Sequence, residues 1–180
     1  MSQSTALAGS RSISSHPAIA PVVQAALAAG ASLRVGCCTG ADALVIQSAL
    51  QAGGASQLRV FAQFAAGGQG WCSLSATLAV GAALHGGASV QFGAGGPLSL
   101  PLAARLVRRS QAVIAGAQAL VLFAPGAGSL SVAALAAAAG AQVFAFGSLP
   151  APVSAAGAWA SSSLFGLPCW QWQPAQASLF

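Results

Sequence analysis

The chain predicts a single α/β domain in three layers, with helices on both faces of a mainly parallel sheet of about six strands. Apolar runs of strand length alternate with longer Ala-rich segments of helix length, and glycine or proline separates them. The strand-like runs are almost continuously apolar rather than alternating, as expected of strands buried on both faces. A glycine turn, Gly36-Cys-Cys-Thr-Gly-Ala-Asp42, follows the second run and opens a helix. Turns of this kind leave backbone N–H groups pointing outward, where they collect anions.

The first strand is expected at Thr5–Ala8 and ends in Gly9-Ser10-Arg11. A helix follows, with Ser14 or Ser15 as its cap, Pro17 near its first turn and Gly30 closing it. Leu33–Cys37 is the second strand, and the helix after it starts near Gly40 and stops at Gly53-Gly54. Leu58–Phe64 is the third strand. The stretch Gly67 to Gly70 opens a helix that runs to about Leu84 and stops at His85-Gly-Gly87. Ala88–Phe92 is the fourth strand, Gly93–Pro97 a loop, and Leu100–Ala117 contains a helix bearing Arg105, Arg108 and Arg109. Ala119–Phe123 is the fifth strand and runs into Pro125–Ser129. An Ala-rich helix then ends at Gly140, before a sixth strand at Gln142–Phe146. The pattern places the domain at 1–149 and leaves 150–180 as a Pro/Ser/Trp-rich tail. Its aromatic residues, Trp159, Phe165, Trp170, Trp172 and Phe180, imply packing on the domain or on a neighbouring subunit.

Composition removes many functions. At 17.3 kDa the chain suits one domain with a sizeable core. Charged residues are 4% of it, against roughly 25% in ordinary soluble domains. Lys, Glu, Asn and Tyr are absent, six arginines supply the basic charge, and Asp42 is the sole acid. Paired-carboxylate, metallo-hydrolase and lysine chemistries therefore lack their groups, and no catalytic residue is expected. The four cysteines, Cys37, Cys38, Cys72 and Cys169, show no CxxC spacing, so no metal site is expected. Cys37 and Cys38 read as small buried hydrophobes. The mean hydropathy of +0.76 raises the question of a membrane, and no residue from Ser110 onward is formally charged. Spanning takes about 20 consecutive apolar residues, and the runs here are far shorter. The N-terminus lacks a signal peptide's basic start and apolar core. The expected compartment is the cytoplasm.

Four segments in order resemble one family. Gly9-Ser-Arg11, Gly36-Cys-Cys-Thr-Gly-Ala-Asp42 with Ala49–Gly54, Arg108-Arg-Ser-Gln-Ala-Val-Ile-Ala-Gly116, and Gly128-Ser-Leu-Ser to Gly140 with Val143-Phe-Ala are similar to blocks of the DNA-processing protein A family. That family belongs to the SLOG superfamily of Rossmann-like domains, which also holds the cytokinin-releasing Lonely Guy enzymes. The resemblance covers about Ala6 to Gly147. It implies a Rossmann-like fold and binding of nucleotides or of single-stranded nucleic-acid phosphates. The glutamate of the Lonely Guy reaction has no counterpart in Ser129-Leu-Ser-Val, so that hydrolysis is not expected.

Each motif has a structural reading beside the functional one. Thr39 with Asp42 three residues later reads first as a helix capping box; the functional reading, which can coexist with it, is that Asp42 orders the turn or accepts a bond from a ligand. Gly9, Ser10 and Arg11 should meet Gly126, Gly128 and Ser129 at the carboxyl ends of the strands. There Arg11 clamps a phosphate or is simply an exposed solubilising residue. Ser10, Ser129 and Ser131 are candidate donors, and Ser129 is also a candidate cap. Arg105, Arg108 and Arg109 share a helix face by spacing. With no acid expected in reach, they read as an anion-binding face or as a solvated one. Trp71, after the Gly67–Gly70 loop, is a candidate base-stacking contact or a core residue. His16 is a candidate ligand contact, and His85 suits a helix C-terminus.

The functional expectation is a non-catalytic module binding nucleotide or single-stranded nucleic-acid phosphates. Its site comprises Gly9, Ser10, Arg11, Gly36, Thr39, Gly40, Asp42, Arg109, Gly126, Gly128 and Ser129, with Arg105, Arg108 and Trp71 as nucleic-acid contacts. No cofactor is expected. The alternative is a charge-poor structural protein that self-assembles, since a surface with almost no charge lacks the repulsion that keeps domains apart. A homo-oligomer is expected under both.

Overall fold

The structure, a computed structural model, describes residues 3–70 and 73–175. Its elements run β1 (Ser4–Gly9), α1 (Ile19–Ala28), β2 (Ser32–Val35), α2 (Ala41–Gln51), β3 (Leu58–Phe61), α3 (Leu74–His85), β4 (Ser89–Gln91), α4 (Leu102–Ile114), β5 (Ala119–Phe123), α5 (Ala127–Ala138), β6 (Gln142–Phe146), β7 (Gly157–Leu164) and β8 (Leu167–Pro174). All the strands join one sheet in the order β4-β3-β2-β1-β5-β6-β8-β7. β1 to β6 pair in parallel, whereas β8 lies antiparallel to β6 and β7 antiparallel to β8. The fold is α/β with a mixed eight-stranded sheet, mainly parallel as expected and larger than expected by the antiparallel hairpin at its end.

Alternate residues of the central strands feed two cores. Leu7, Val121 and Phe123 pack with α1, α2 and α3, whereas Ala6, Leu120 and Leu122 pack with α4 and α5. Of the runs that read as doubly buried, β5 is so at every residue and β6 at all but Gln142. β2, β3 and the edge strand β4, none of whose residues is buried, depart from that reading. Arg34 and Arg59 stand over the Phe61 ring at 4.7 and 5.2 Å. Arg34 also donates through Nε and Nη2 to Val113 O (2.7 Å) and Ala112 O (2.8 Å). A cation there meets the negative end of the α4 dipole. Burial, with Arg59 nearby, pulls the Arg34 pKa down from its ordinary value.

Local corrections follow from the caps. Neither Ser14 nor Ser15 starts α1, whose N-cap is Ala18 with no side-chain bond; the His16 Nδ1 accepts from Ala18 N instead (3.3 Å). α3 begins at Leu74 rather than at the Gly67–Gly70 turn, because Ser73 Oγ accepts from Ala76 N (3.2 Å). The segment read as a tail from 150 onward adds the hairpin to the β6 edge. Phe165 (φ 54°) and Gly166 (φ 77°) make its turn, with a bulky residue where Asn or Gly is usual, so no turn signal showed in the sequence. Phe180 lies outside the described residues. Among those described, no helix is long and apolar enough to cross a membrane.

Candidate functional site

The strand order places a crevice. From β1 the chain steps outward through β2, β3 and β4, then returns to lay β5 on the other side of β1. At such a reversal the loops leaving adjacent strands diverge, and ligands bind outside the carboxyl ends. A cleft of about 520 Å³ opens there, with Gly9, Ser10 and Arg11 after β1 on one side and Gly126, Gly128 and Ser129 after β5 on the other. Its size is that of ordinary small-molecule sites.

The β1 loop is held by its neighbours. Ser10 N donates to Phe123 O (3.1 Å), Ala41 N to Ser10 O (3.0 Å) and Thr39 Oγ1 to Arg11 O (3.3 Å). Ser12 N donates to Ser10 Oγ (3.2 Å), which closes a short turn with Arg11 at its tip. Gly9 and Gly40 allow the close approach. A Cβ on Gly9 would overlap Phe123 O, and one on Gly40 (φ 72°) would overlap Ser10 O. The backbone beneath Arg11 is therefore fastened, while its side chain is exposed and lines the cleft.

Asp42 does not form the expected capping box. Gly40 takes the N-cap position without any side-chain bond, so Asp42 is the second helical residue instead of the third. Its Oδ2 accepts from Cys38 N (3.0 Å) and from Arg109 Nη1 (3.2 Å). The Arg109 Nη2 donates to Cys38 Sγ (2.8 Å). Gly36 makes room for this: a Cβ there would overlap the Arg109 guanidinium. The expectation that no acid reaches the arginines of α4 is overturned for Arg109, which spans 67 positions of sequence to find the sole carboxylate. The pair is buried on both sides, so its neutralisation leaves Arg11 as the cation of the cleft with no acid opposing it among the described residues.

On the opposite side, Ser129 Oγ accepts from Gly126 N and donates to Gly126 O, both at 2.9 Å. Ser129 therefore helps cap α5 as expected, but from its third helical position, by holding the N–H of the N-cap Gly126, and not as the N-cap residue itself. The amides of Ala127 and Gly128 have no intrahelical acceptor, as in any first turn, and both residues are exposed in the cleft. Ser131 Oγ is turned back to Ala127 O (3.1 Å). Leu106 and Val107 of α4 face Val132 and Leu135 of α5 across the remaining, apolar part of the cleft.

The structure thus brings together Gly9, Ser10, Arg11, Asp42, Arg109, Gly126, Gly128 and Ser129 as lining, with Gly36, Thr39 and Gly40 as support behind them. It separates the other candidates. Arg105 is buried away from the cleft and donates to Gly70 O (2.9 Å), and Arg108 is exposed beside Gly96. The single arginine face inferred from spacing is therefore divided between interior and surface. Trp71 lies outside the described residues. His16 sits edge-on to Phe123, ring centroids 5.6 Å apart, outside the cleft lining. Cys38 is buried as expected but also lines the cleft. The apolar wall was not anticipated. The sequence carried no signal that singled it out: Val107 and Leu135 are exposed, but so are Leu102 on α4 and Leu74, Leu78 and Leu84 on α3.

Among the described residues, no group of His, Cys, Asp or Glu is placed to hold a metal. No family model matches the chain, and no curated protein or solved structure matches it either.

Proposed function

We propose that this chain is a non-catalytic SLOG-type Rossmann-like module that takes the phosphate of a nucleotide or of single-stranded nucleic acid in the β1/β5 cleft. One observation carries the reading: Arg11, unopposed by any described acid, stands across the cleft from the exposed first turn of α5. A guanidinium fork and a positive helix terminus converging on one cleft favour an anion with several oxygens. The apolar wall of Leu106, Val107, Val132 and Leu135 supports a ligand with an uncharged ring or sugar beside its phosphate. Asp42 is committed to Arg109 and to the Cys38 amide, which supports a role in shaping the site rather than in proton transfer. Exposed Arg108 is retained as an outer contact for a nucleic-acid strand, while the buried Arg105 is not.

The test is titration of the full chain with an adenine nucleotide and with labelled single-stranded DNA at several salt concentrations. Affinity should fall as salt rises. Arg11→Ala should weaken binding about tenfold or more, the value of one charge-assisted hydrogen bond, at an unchanged unfolding midpoint. Binding indifferent to Arg11→Ala, or no binding of either probe, would overturn the proposal.

A further inference from the structure

The sheet ends in two unlike edges. β4 offers three residues, whereas β7 offers eight in unbroken register with β8. Which groups of β7 face outward follows from its turn. Phe165 and Gly166 both have positive φ, so they are the central residues of a two-residue turn of type I′. Such a turn makes the flanking pair, Leu164 and Leu167, a hydrogen-bonded one, and antiparallel pairs alternate from there. Ser163 with Pro168, Ser161 with Trp170, Trp159 with Trp172 and Gly157 with Pro174 are then the non-bonded pairs. Both prolines of β8 fall at these positions, where no N–H is needed toward β7, which checks the assignment independently. Gly157, Trp159, Ser161 and Ser163 therefore aim N–H and C=O away from β8. No backbone hydrogen bond to another described residue takes them up.

Natural sheets guard such an edge with a charge, a proline, a bulge or a short strand. β7 has none of these: it carries no charged residue and no proline, and its register is unbroken. We infer that β7 is a docking edge for β7 of a second copy of this chain, joined antiparallel about a two-fold axis so that one sheet runs through both molecules. Charge argues for a second copy. A two-fold pairing brings like residues face to face, so any charge on the strand would oppose its own image. Here no charged side chain lies anywhere from Ser110 onward. The exposed side chains at the centre, Ala160 and Ser161, are small enough for close approach. The register using all the outward groups pairs Gly157 with Ser163 and Trp159 with Ser161, and sets Ala160 opposite Ala160. It makes about eight new hydrogen bonds, two at each bonded pair.

Light scattering of the full chain across a dilution series tests this. A dimer is expected. Ser161→Pro, which removes an outward N–H that the hairpin itself does not use, should raise its dissociation constant about tenfold or more. Ala160→Lys keeps the question open should the proline variant fail to fold: it sets like charges opposite each other, and its dimer should weaken at low salt and recover at high salt. Ala160→Cys should give a disulfide-linked dimer that the parent chain does not, because non-bonded pairs bring Cα atoms to about 4.5 Å. A monomer at every concentration would overturn the inference, as would a dimer indifferent to all three substitutions. So would a monomer that dimerises only once 176–180 are removed, since the chain's own end would then occupy the edge.

Discussion

The β1/β5 cleft and the β7–β8 hairpin are built on opposite principles. The cleft spends the chain's only carboxylate on Arg109 and stitches its loops through backbone bonds across three strands. The hairpin holds no charge and rests on a ladder plus aromatic contact, with Trp159 and Trp172 edge to face at 5.5 Å. The cleft is specific in position but leaves one cation unsatisfied; the hairpin is satisfied on one side and open on the other. The difference teaches how an almost uncharged protein uses its few charged groups: Asp42 and Arg109 are buried to fix the geometry of the cleft, whereas the hairpin is held by backbone and aromatic contacts.

The contrast can be broken at its two strongest points. Asp42→Ala leaves the Arg109 guanidinium buried without its carboxylate and should cost about 3–5 kcal/mol. Trp172→Ala empties a site that is 5% exposed and should cost about the same. Among the described residues the two groups share no partner, so in denaturant titrations the double variant should lose the sum to within about 0.5 kcal/mol. A clear departure would show that the two regions are one cooperative structure.

Gly36→Ala sharpens the cleft side. Its methyl would overlap the Arg109 guanidinium, so the pair must shift, at a cost of about 1–3 kcal/mol. Phosphate affinity should fall with it, whereas the dimer of the β7 edge should not change. Loss of both together would deny the separation.

The smallest effect concerns pH. Burial against Phe123 lowers the His16 pKa from 6.5, with a hydrogen bond to the Phe146 carbonyl acting in the opposite direction. Below pH 6.5 the unfolded chain takes up a proton that the folded chain resists, so stability falls as acid is added. Denaturation midpoints near neutrality and at about pH 5.5 should differ less in His16→Gln than in the parent chain. An equal pH response in both would remove His16 from the account.

Much of the parallel half was legible in the sequence. β5 and β6 have the bounds expected of them because their apolar runs end abruptly at glycine, proline or glutamine. α2 begins where the glycine turn said it would. The site was legible as a set of loops, since each is announced by its own glycines. Its electrostatics were not. Asp42 looked like a local cap because Thr39 lay at capping distance, and nothing near it in the chain pointed to Arg109. The hairpin was hidden for a related reason: prolines that usually break strands stand at positions of β8 where no N–H toward β7 is required.

Sequence by itself determined what is local: the apolar periods, the glycines where backbones approach, and the near absence of charge that leaves one acid to be placed. Only the tertiary structure decided which arginine that acid neutralises, which remains exposed in the cleft, and which edge of the sheet stays open. Those outcomes depend on pairings between distant segments, and the energy of a buried charge or an unfilled ladder is set by what folding brings beside it.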